Sequence, residues 1–268
     1  MSFHKPRRQH PKSFKGHVGE ARAGSQHTVH HETPTILFED DEIVVVVKPA
    51  GLATANVPRG EKSLFSWVRK RLRDRAAAQS PAAAEPFLGV VSRLDQPVSG
   101  VVVLARTRQA AASLSAQFRD REVEKTYHAL VEGRFPGAVG AQATWRDLLE
   151  RPPADDGRAD GGPETPQEAE VDVQLMARGV EVSLVRLTPR TGRRHQLRVQ
   201  LGSRKCPIVG DRLYGSRLPF PTGIGLHSTA LRIEHPATGQ PLTFRAAWPA
   251  VWQQAARGLV LPKVDEPS

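Results

Sequence analysis

Apolar residues recur along this chain in two periods. The run Ile43-Val44-Val45-Val46-Val47 is flanked at once by Glu42 and Lys48, short and β-branched enough to be a buried strand over Glu42 to Val47. Leu64, Trp67, Val68 and Leu72 fall at i, i+3, i+4 and i+8 behind Ser63, a good N-cap, and predict an amphipathic helix. Its other face carries Arg69, Lys70, Arg73 and Arg75, which suits either solvent or contact with phosphate groups. Ala111, Leu114 and Phe118 predict a second helix capped by Thr107. Tyr127, Ala129 and Val131 alternate with His128 and Leu130 as in a half-buried strand, and Val180 to Leu187 is also strand-like. Ala76 to Pro86 reads as an Ala/Pro-rich connector. Many short strands, few helices and several turn signals predict an α+β domain around a mixed, largely antiparallel sheet flanked by helices.

The remaining segments break both periods. Residues 1–33 hold six Lys/Arg against Glu20 and Glu32 and few apolar residues, so they read as a basic, disordered arm. Residues 34–262 form one folded domain, interrupted by a Pro-, Gly- and acid-rich flexible loop at 151–169, and 263–268 is a tail. His27, His30 and His31 lack an acidic or cysteine partner at ligand spacing and read as tail residues, so no metal is expected.

Charge changes the picture. The chain has 38 Lys+Arg against 28 Asp+Glu and a pI near 10.3, which suits a polyanionic partner. The folded domain is itself basic, because the net charge of the arm is offset by the acidic stretch around 146–172. No apolar run reaches membrane-spanning length, and the start lacks the hydrophobic stretch of a secretion signal. One cysteine, Cys206, excludes an intrachain disulfide and a Cys-based zinc cluster. A cytoplasmic, cofactor-free monomer is expected.

Two segments carry chemistry. Ser92-Arg93-Leu94-Asp95-Gln96-Pro97-Val98-Ser99-Gly100 sets one carboxylate between an arginine and a Pro/Gly-bounded turn ahead of the apolar run Val101 to Leu104. Such a carboxylate either caps the turn or stays ionised as a nucleophile. Thr191-Gly192-Arg193-Arg194-His195-Gln196-Leu197-Arg198 then packs three arginines, a histidine and an amide into one stretch. Read as a strand, it puts Arg194, Gln196 and Arg198 on one face and Arg193, His195 and Leu197 on the other. Lys125-Thr126-Tyr127 lies between, so Asp, Tyr and Arg each sit on or beside a strand.

These motifs resemble the RluA-type pseudouridine synthases, whose signatures are His-Arg-Leu-Asp before a Thr-Ser-Gly turn, Lys-x-Tyr, and Thr-Gly-Arg-x-His-Gln-Ile/Leu-Arg. Lys48-Pro49-Ala50-Gly51-Leu52, Gly210-Asp211-Arg212-Leu213-Tyr214-Gly215, Leu226-His227 and His235-Pro236-Ala237-Thr238-Gly239 agree in order and spacing, from about Thr35 to Pro249. Ser92 stands where the family usually has His, Gln96 and Val98 replace Arg or Lys and Thr, and Gln200 replaces a His.

The resemblance implies a bifurcated sheet, RNA in a basic cleft across it, and the Asp loop at the cleft floor. It implies an isomerase that converts uridine in structured tRNA or rRNA to pseudouridine, with neither metal nor nucleotide cofactor. The target must be extruded from its stack. Asp95 is then the nucleophile, Arg198 its cationic partner, and Tyr127 the ring that packs on uracil and helps remove the C5 proton. Arg93 would fill the vacated stack, and Arg193, His195 and Gln196 bind substrate or support those that do. Asp211 and Tyr214 read as turn braces, and the four tryptophans as packing. No segment resembles an S4 module, which leans the target toward a stem-loop such as a tRNA arm. The alternative is an inactive RNA-binding or ribosome-assembly protein on the same fold; a hydrolase using Asp95 and His195 lacks an oxyanion-type Gly motif.

Overall fold

A computed structural model describes residues 33–58, 60–80, 84–150 and 165–261. The arm, most of the acidic loop and the tail read from the sequence lie outside the described residues.

The strands are β1 (Thr35–Glu39), β2 (Ile43–Lys48), β3 (Gly89–Val90), β4 (Ser99–Ala105), β5 (Glu124–Glu132), β6 (Gln142–Leu149), β7 (Gln167–Arg178), β8 (Val182–Pro189), β9 (Leu226–Glu234) and β10 (Pro241–Arg245). The helices are α1 (Leu64–Gln79), α2 (Arg108–Asp120), α3 (Gln196–Ser203) and α4 (Val251–Ala255). One sheet runs β1-β2-β4-β9-β5-β8-β7-β6, with β3 added to β4 and β10 to β9. Every pairing is antiparallel except β4 with β9, where Ser99 and Gly100 face His227 and Ser228.

That short parallel contact is where the sheet divides. Beyond it β9 takes β10 as its neighbour from Ala230 to Glu234, while β4 takes β3 at Leu104 and Ala105. α2 packs over the split, its Ala110 and Leu114 against Val101, Val103, Leu231 and Ile233. Gly100 sets the closeness of the two strands: its φ is +123°, and a Cβ there would stand 2.3 Å from the Ser228 carbonyl oxygen. The Ser99 hydroxyl and His227 Nδ1, 2.8 Å apart and both buried, hold the same junction.

α1 begins as the sequence predicts. Ser63 and Ser66 form a capping box, and Leu64, Val68 and Leu72 are buried against β2 and β4. The helix runs on through Ala76–Ala78 to Gln79, into the stretch read as a connector, because alanines favour helix until Ser80 and Pro81 intervene. Its basic face is largely self-neutralised: Arg69 meets Glu85, Lys70 meets Asp74, and Arg75 meets Glu39. β5 is buried on both faces from His128 to Val131, not half-buried, because a further layer holding Trp252 covers Leu130. β8 starts at Val182, with Val180 exposed in the preceding turn, and β7 opens at Gln167, inside the stretch read as loop.

Candidate active site

Thr191 to Arg198 is not a strand. β8 ends at Pro189, and His195 adopts the left-handed conformation, φ 52° and ψ 17°, as N-cap of α3. Histidine tolerates that region better than most side chains. The turn aims His195 one way and starts the helix that carries Arg198, so the face assignment made for an extended segment fails. Gln196 fastens the turn: its Oε1 accepts from the Thr191 hydroxyl at 2.7 Å and the Arg193 amide at 3.1 Å, and its Nε2 donates to the Glu170 carbonyl at 3.0 Å. Gln196 therefore braces the turn through both its oxygen and its nitrogen, and it lines the cavity as well.

The loop before β4 is pinned as firmly. The Thr54 hydroxyl donates to the Leu94 carbonyl at 2.8 Å and accepts from the Leu94 amide at 3.2 Å. The Gly51 amide donates to the Gln96 carbonyl at 2.9 Å, and Gln96 Nε2 returns a bond to the Gly51 carbonyl at 3.1 Å. A turn closes from the Val98 amide to the Asp95 carbonyl at 3.0 Å. Ser92 donates its hydroxyl to the Val103 carbonyl at 3.2 Å, so it braces the loop onto β4.

Beneath the loop lies a group that the sequence reading passed over. Lys48, wholly buried, directs Nζ to the carbonyls of Leu52 at 2.7 Å, Pro49 at 3.1 Å and Gln96 at 3.2 Å. Burial pushes its pKa down to about 7, opposed by the Asp95 carboxylate nearby. The available signal was a lysine ending an otherwise apolar strand, since a cation at such a position needs acceptors.

Asp95 and the arginine motif meet across 103 residues of sequence. Arg198 Nη1 donates to Asp95 Oδ2 at 3.3 Å, and His195 Nε2 lies 3.7 Å from the same oxygen. Arg198 Nε and Nη2 donate to Asp211 at 2.7 and 3.0 Å, and the guanidinium lies 5.0 Å over the Tyr214 ring. Tyr214 also bonds His195 Nδ1 through its hydroxyl at 2.8 Å. Asp211 and Tyr214 thus belong to the site as supports of Arg198 and His195, which goes beyond the turn-bracing read for them. Asp95 keeps 29% of its side chain exposed, against 4% for Arg198, 3% for His195 and 1% for Asp211.

Tyr127 faces Asp95 from β5. Opposite it, the β5–β9 register jumps from Ala230 to Ser228, leaving Thr229 as an extra residue. This bulge reverses the alternation of β9, so that Leu226, Ser228 and Leu231 all face the same cavity. Burial, and to a lesser extent the Asp95 charge, push the Tyr127 phenol up to about 12, with a hydrogen bond to Ser228 opposing. The phenol is neutral at ordinary pH.

Around these groups is a cavity of about 1050 Å³ lined by Asp95, Tyr127, His195 and Arg198. Arg93, exposed at its rim, and Arg193 line it as well. Arg193 Nε donates to the Glu168 carbonyl at 3.0 Å, which anchors that side chain. Asp95, Tyr127, Arg198, Arg93, Arg193, His195 and Gln196 are thus brought to one cavity. A carboxylate at its floor, a buried cation behind, and a neutral aromatic ring beside it can attack an electrophilic carbon of a planar substrate and stabilise charge on it.

Residues 42–203 match the family model described as RNA pseudouridylate synthase. The ribosomal large subunit pseudouridine synthase D of Xanthomonas campestris is 34% identical over 245 residues, covering 84% of this chain and 69% of that protein. The tRNA pseudouridine synthase C of Yersinia pestis is 32% identical over 237 residues, covering 81% of this chain and 88% of that one. Among solved structures, human RNA pseudouridylate synthase domain containing 4 superposes with a TM-score of 0.66 at 26% identity, over 85% of this chain and 95% of the other.

Proposed function

This chain belongs to the RNA pseudouridylate synthase family, and is an isomerase acting on RNA; from that premise we propose that Asp95 is the nucleophile which converts uridine to pseudouridine in a structured tRNA or rRNA. The observation that carries the proposal is the placement of Asp95, an accessible carboxylate gripped at the cavity floor with Arg198 at 3.3 Å.

The reaction breaks the bond between ribose C1′ and uracil N1, turns the base, and joins C1′ to C5. The C5 proton leaves and N1 gains one, so no oxidant or hydrolytic water is consumed. Asp95 attacks the extruded uridine and holds the reacting centre while the base turns. Arg198 supplies the opposite charge beside the carboxylate and steadies its geometry. Tyr127 lays its ring on uracil, and its hydroxyl, beside Ser228, takes part in moving the C5 proton. Arg93, exposed at the rim, fills the stack that the base leaves. Arg193 and His195 bind alongside, His195 being tied to Tyr214 and near Asp95.

The names of the two bacterial relatives divide between ribosomal and transfer RNA, and both classes remain within the proposal. We take the protein to act as a monomer in the cytoplasm, where its single buried thiol, Cys206, meets reducing conditions. The test is incubation of unmodified tRNA and rRNA transcripts with the protein, followed by detection of pseudouridine. Its absence from both pools would overturn the reading.

A further inference from the structure

The cavity is larger than one nucleotide needs. At about 1050 Å³ it stands at the top of the range for small-ligand clefts, roughly 300–1,000 Å³, and a lone uridine beside Asp95 leaves much of it unfilled. One lobe of the excess lies between the C-terminal end of α2 and the start of β5. Its floor is apolar: Val101, Val123 and Leu231, with the half-buried Phe118 ring beside them. Its rim is cationic, carrying Arg119, Arg121 and Lys125.

Lys125 is the informative member. It lies two residues before Tyr127 on the same face of β5, a rise of about 6.8 Å that one unstacked nucleotide can span. Its ammonium sits close to Gly192, where even a Cβ would come within 3.7 Å of Nζ. Among the described residues it has no carboxylate partner, and burial lowers its pKa, as befits a cation that no anion yet compensates. Arg121, in the left-handed conformation that ends α2, is exposed and likewise has no carboxylate partner among the described residues, whereas Arg119 pairs with Asp120. An apolar floor with an aromatic edge and a cationic rim suits a nucleobase joined to a phosphate better than a second charged or a purely apolar ligand.

We propose that this lobe is a second nucleotide subsite, seating the base next to the target uridine on Phe118 and its phosphate on Lys125 and Arg121. The proposal rests on the pseudouridine synthase reading and extends it from one nucleotide to two. It gives the protein a means of reading the neighbour of its target, since the floor meets a base face and the rim a backbone phosphate.

The experiment measures initial rates of pseudouridine formation in unmodified tRNA and large-subunit rRNA transcripts at several salt concentrations. The unmutated protein must first form pseudouridine; if it does not, the synthase reading falls and the subsite with it. Lys125→Gln should raise KM for RNA about tenfold, far more than it lowers kcat, and reduce the slope of log affinity against log salt by about 0.7–0.9, one phosphate contact. Lys125→Arg should recover most of both. Arg121→Gln, an exposed change that does not threaten folding, should reduce the slope in the same sense. Phe118→Leu, which keeps apolar volume and removes the ring, should raise KM severalfold with the slope unaltered. An active parent enzyme whose Lys125→Gln and Arg121→Gln variants keep the original KM and slope would overturn the subsite and leave the synthase reading standing.

Discussion

Asp211 grips Arg198 through two hydrogen bonds, 2.7 Å to Nε and 3.0 Å to Nη2, and leaves one nitrogen, Nη1, for Asp95 at 3.3 Å. The guanidinium is therefore oriented by the buried carboxylate and offered to the accessible one, the proposed nucleophile. Its planar array of donors makes that division possible, and a lysine has no equivalent geometry.

Replacing Arg198 by Met will cost stability as well as rate. Asp211, with 1% of its side chain exposed, would lose the cation that compensates it. Removing one partner of such a buried pair destabilises by about 3–5 kcal/mol. Arg198→Lys should lose less stability while still impairing turnover, since charge returns without the bidentate geometry. Denaturant unfolding beside single-turnover rates checks this; an Arg198→Met protein of unaltered stability would show that Asp211 does not depend on the pair.

Asp95→Asn should remove turnover, on the order of 10⁴-fold or more, because an amide is no nucleophile. RNA affinity should stay within about threefold, as binding comes mostly from phosphate contacts that Asp95 does not make. Rate and filter-binding measurements on one preparation decide it. Residual turnover near the parent rate would take Asp95 out of the mechanism.

The sequence displayed these participants unevenly, for physical reasons. Asp95, Tyr127 and Arg198 stand in compact motifs, and hydrophobic period alone located α1, α2, β2 and β5. What it hid was backbone hand: nothing in Gly192-Arg193-Arg194-His195 announces that His195 goes left-handed, so a turn and a helix were read as a strand. It hid distance too, because Asp211 and Tyr214 join the site only when the chain folds back onto α3. The split of the sheet was legible solely through family resemblance, since it depends on which neighbour β9 takes beyond Ser228.

Tyr127→Phe should preserve binding, because the ring stays, and lower kcat by roughly 10²-fold or more, the usual scale for a lost proton-transfer group. With the phenol pushed up to about 12, it loses its proton only at the alkaline extreme. The parent enzyme should therefore show no limb in kcat between pH 6 and 10 that vanishes in the Phe variant. Such a limb would mean that Tyr127 ionises within the working range, and would recast it as an anionic base.

Gly100→Ala should fail at the sheet junction. The glycine has φ +123°, and its new Cβ would stand 2.3 to 2.7 Å from Ser228 backbone atoms. A clash with backbone cannot be relieved by a rotamer change, so β4 and β9 must part where the cavity floor is built. A loss of about 2 kcal/mol or more, with falling activity, is expected from thermal unfolding and rate assays. A variant as stable as its parent would mean that the two strands can separate at little cost.

Lys48 predicts a particular pH dependence. Its pKa is about 7 folded against 10.5 for the free side chain, so between these values the unfolded chain binds more protons. Stability therefore rises with pH across that window, at a slope of at most about 1.4 kcal/mol per unit for this one group. Below about pH 7 both states hold the proton and the slope vanishes. Other groups titrate there too, notably Cys206, whose thiol burial pushes up and whose effect runs the opposite way. The contribution of Lys48 is isolated by subtracting the Lys48→Met profile. The parent should gain stability relative to Lys48→Met from pH 7 to 9 in chemical denaturation. A flat difference would show that the three carbonyls around Nζ, which favour an ammonium, outweigh burial and keep Lys48 charged in the folded protein. The Asp95 loop would then be held by a fixed cation, and lowering the pH from 9 to 7 would leave that support unchanged.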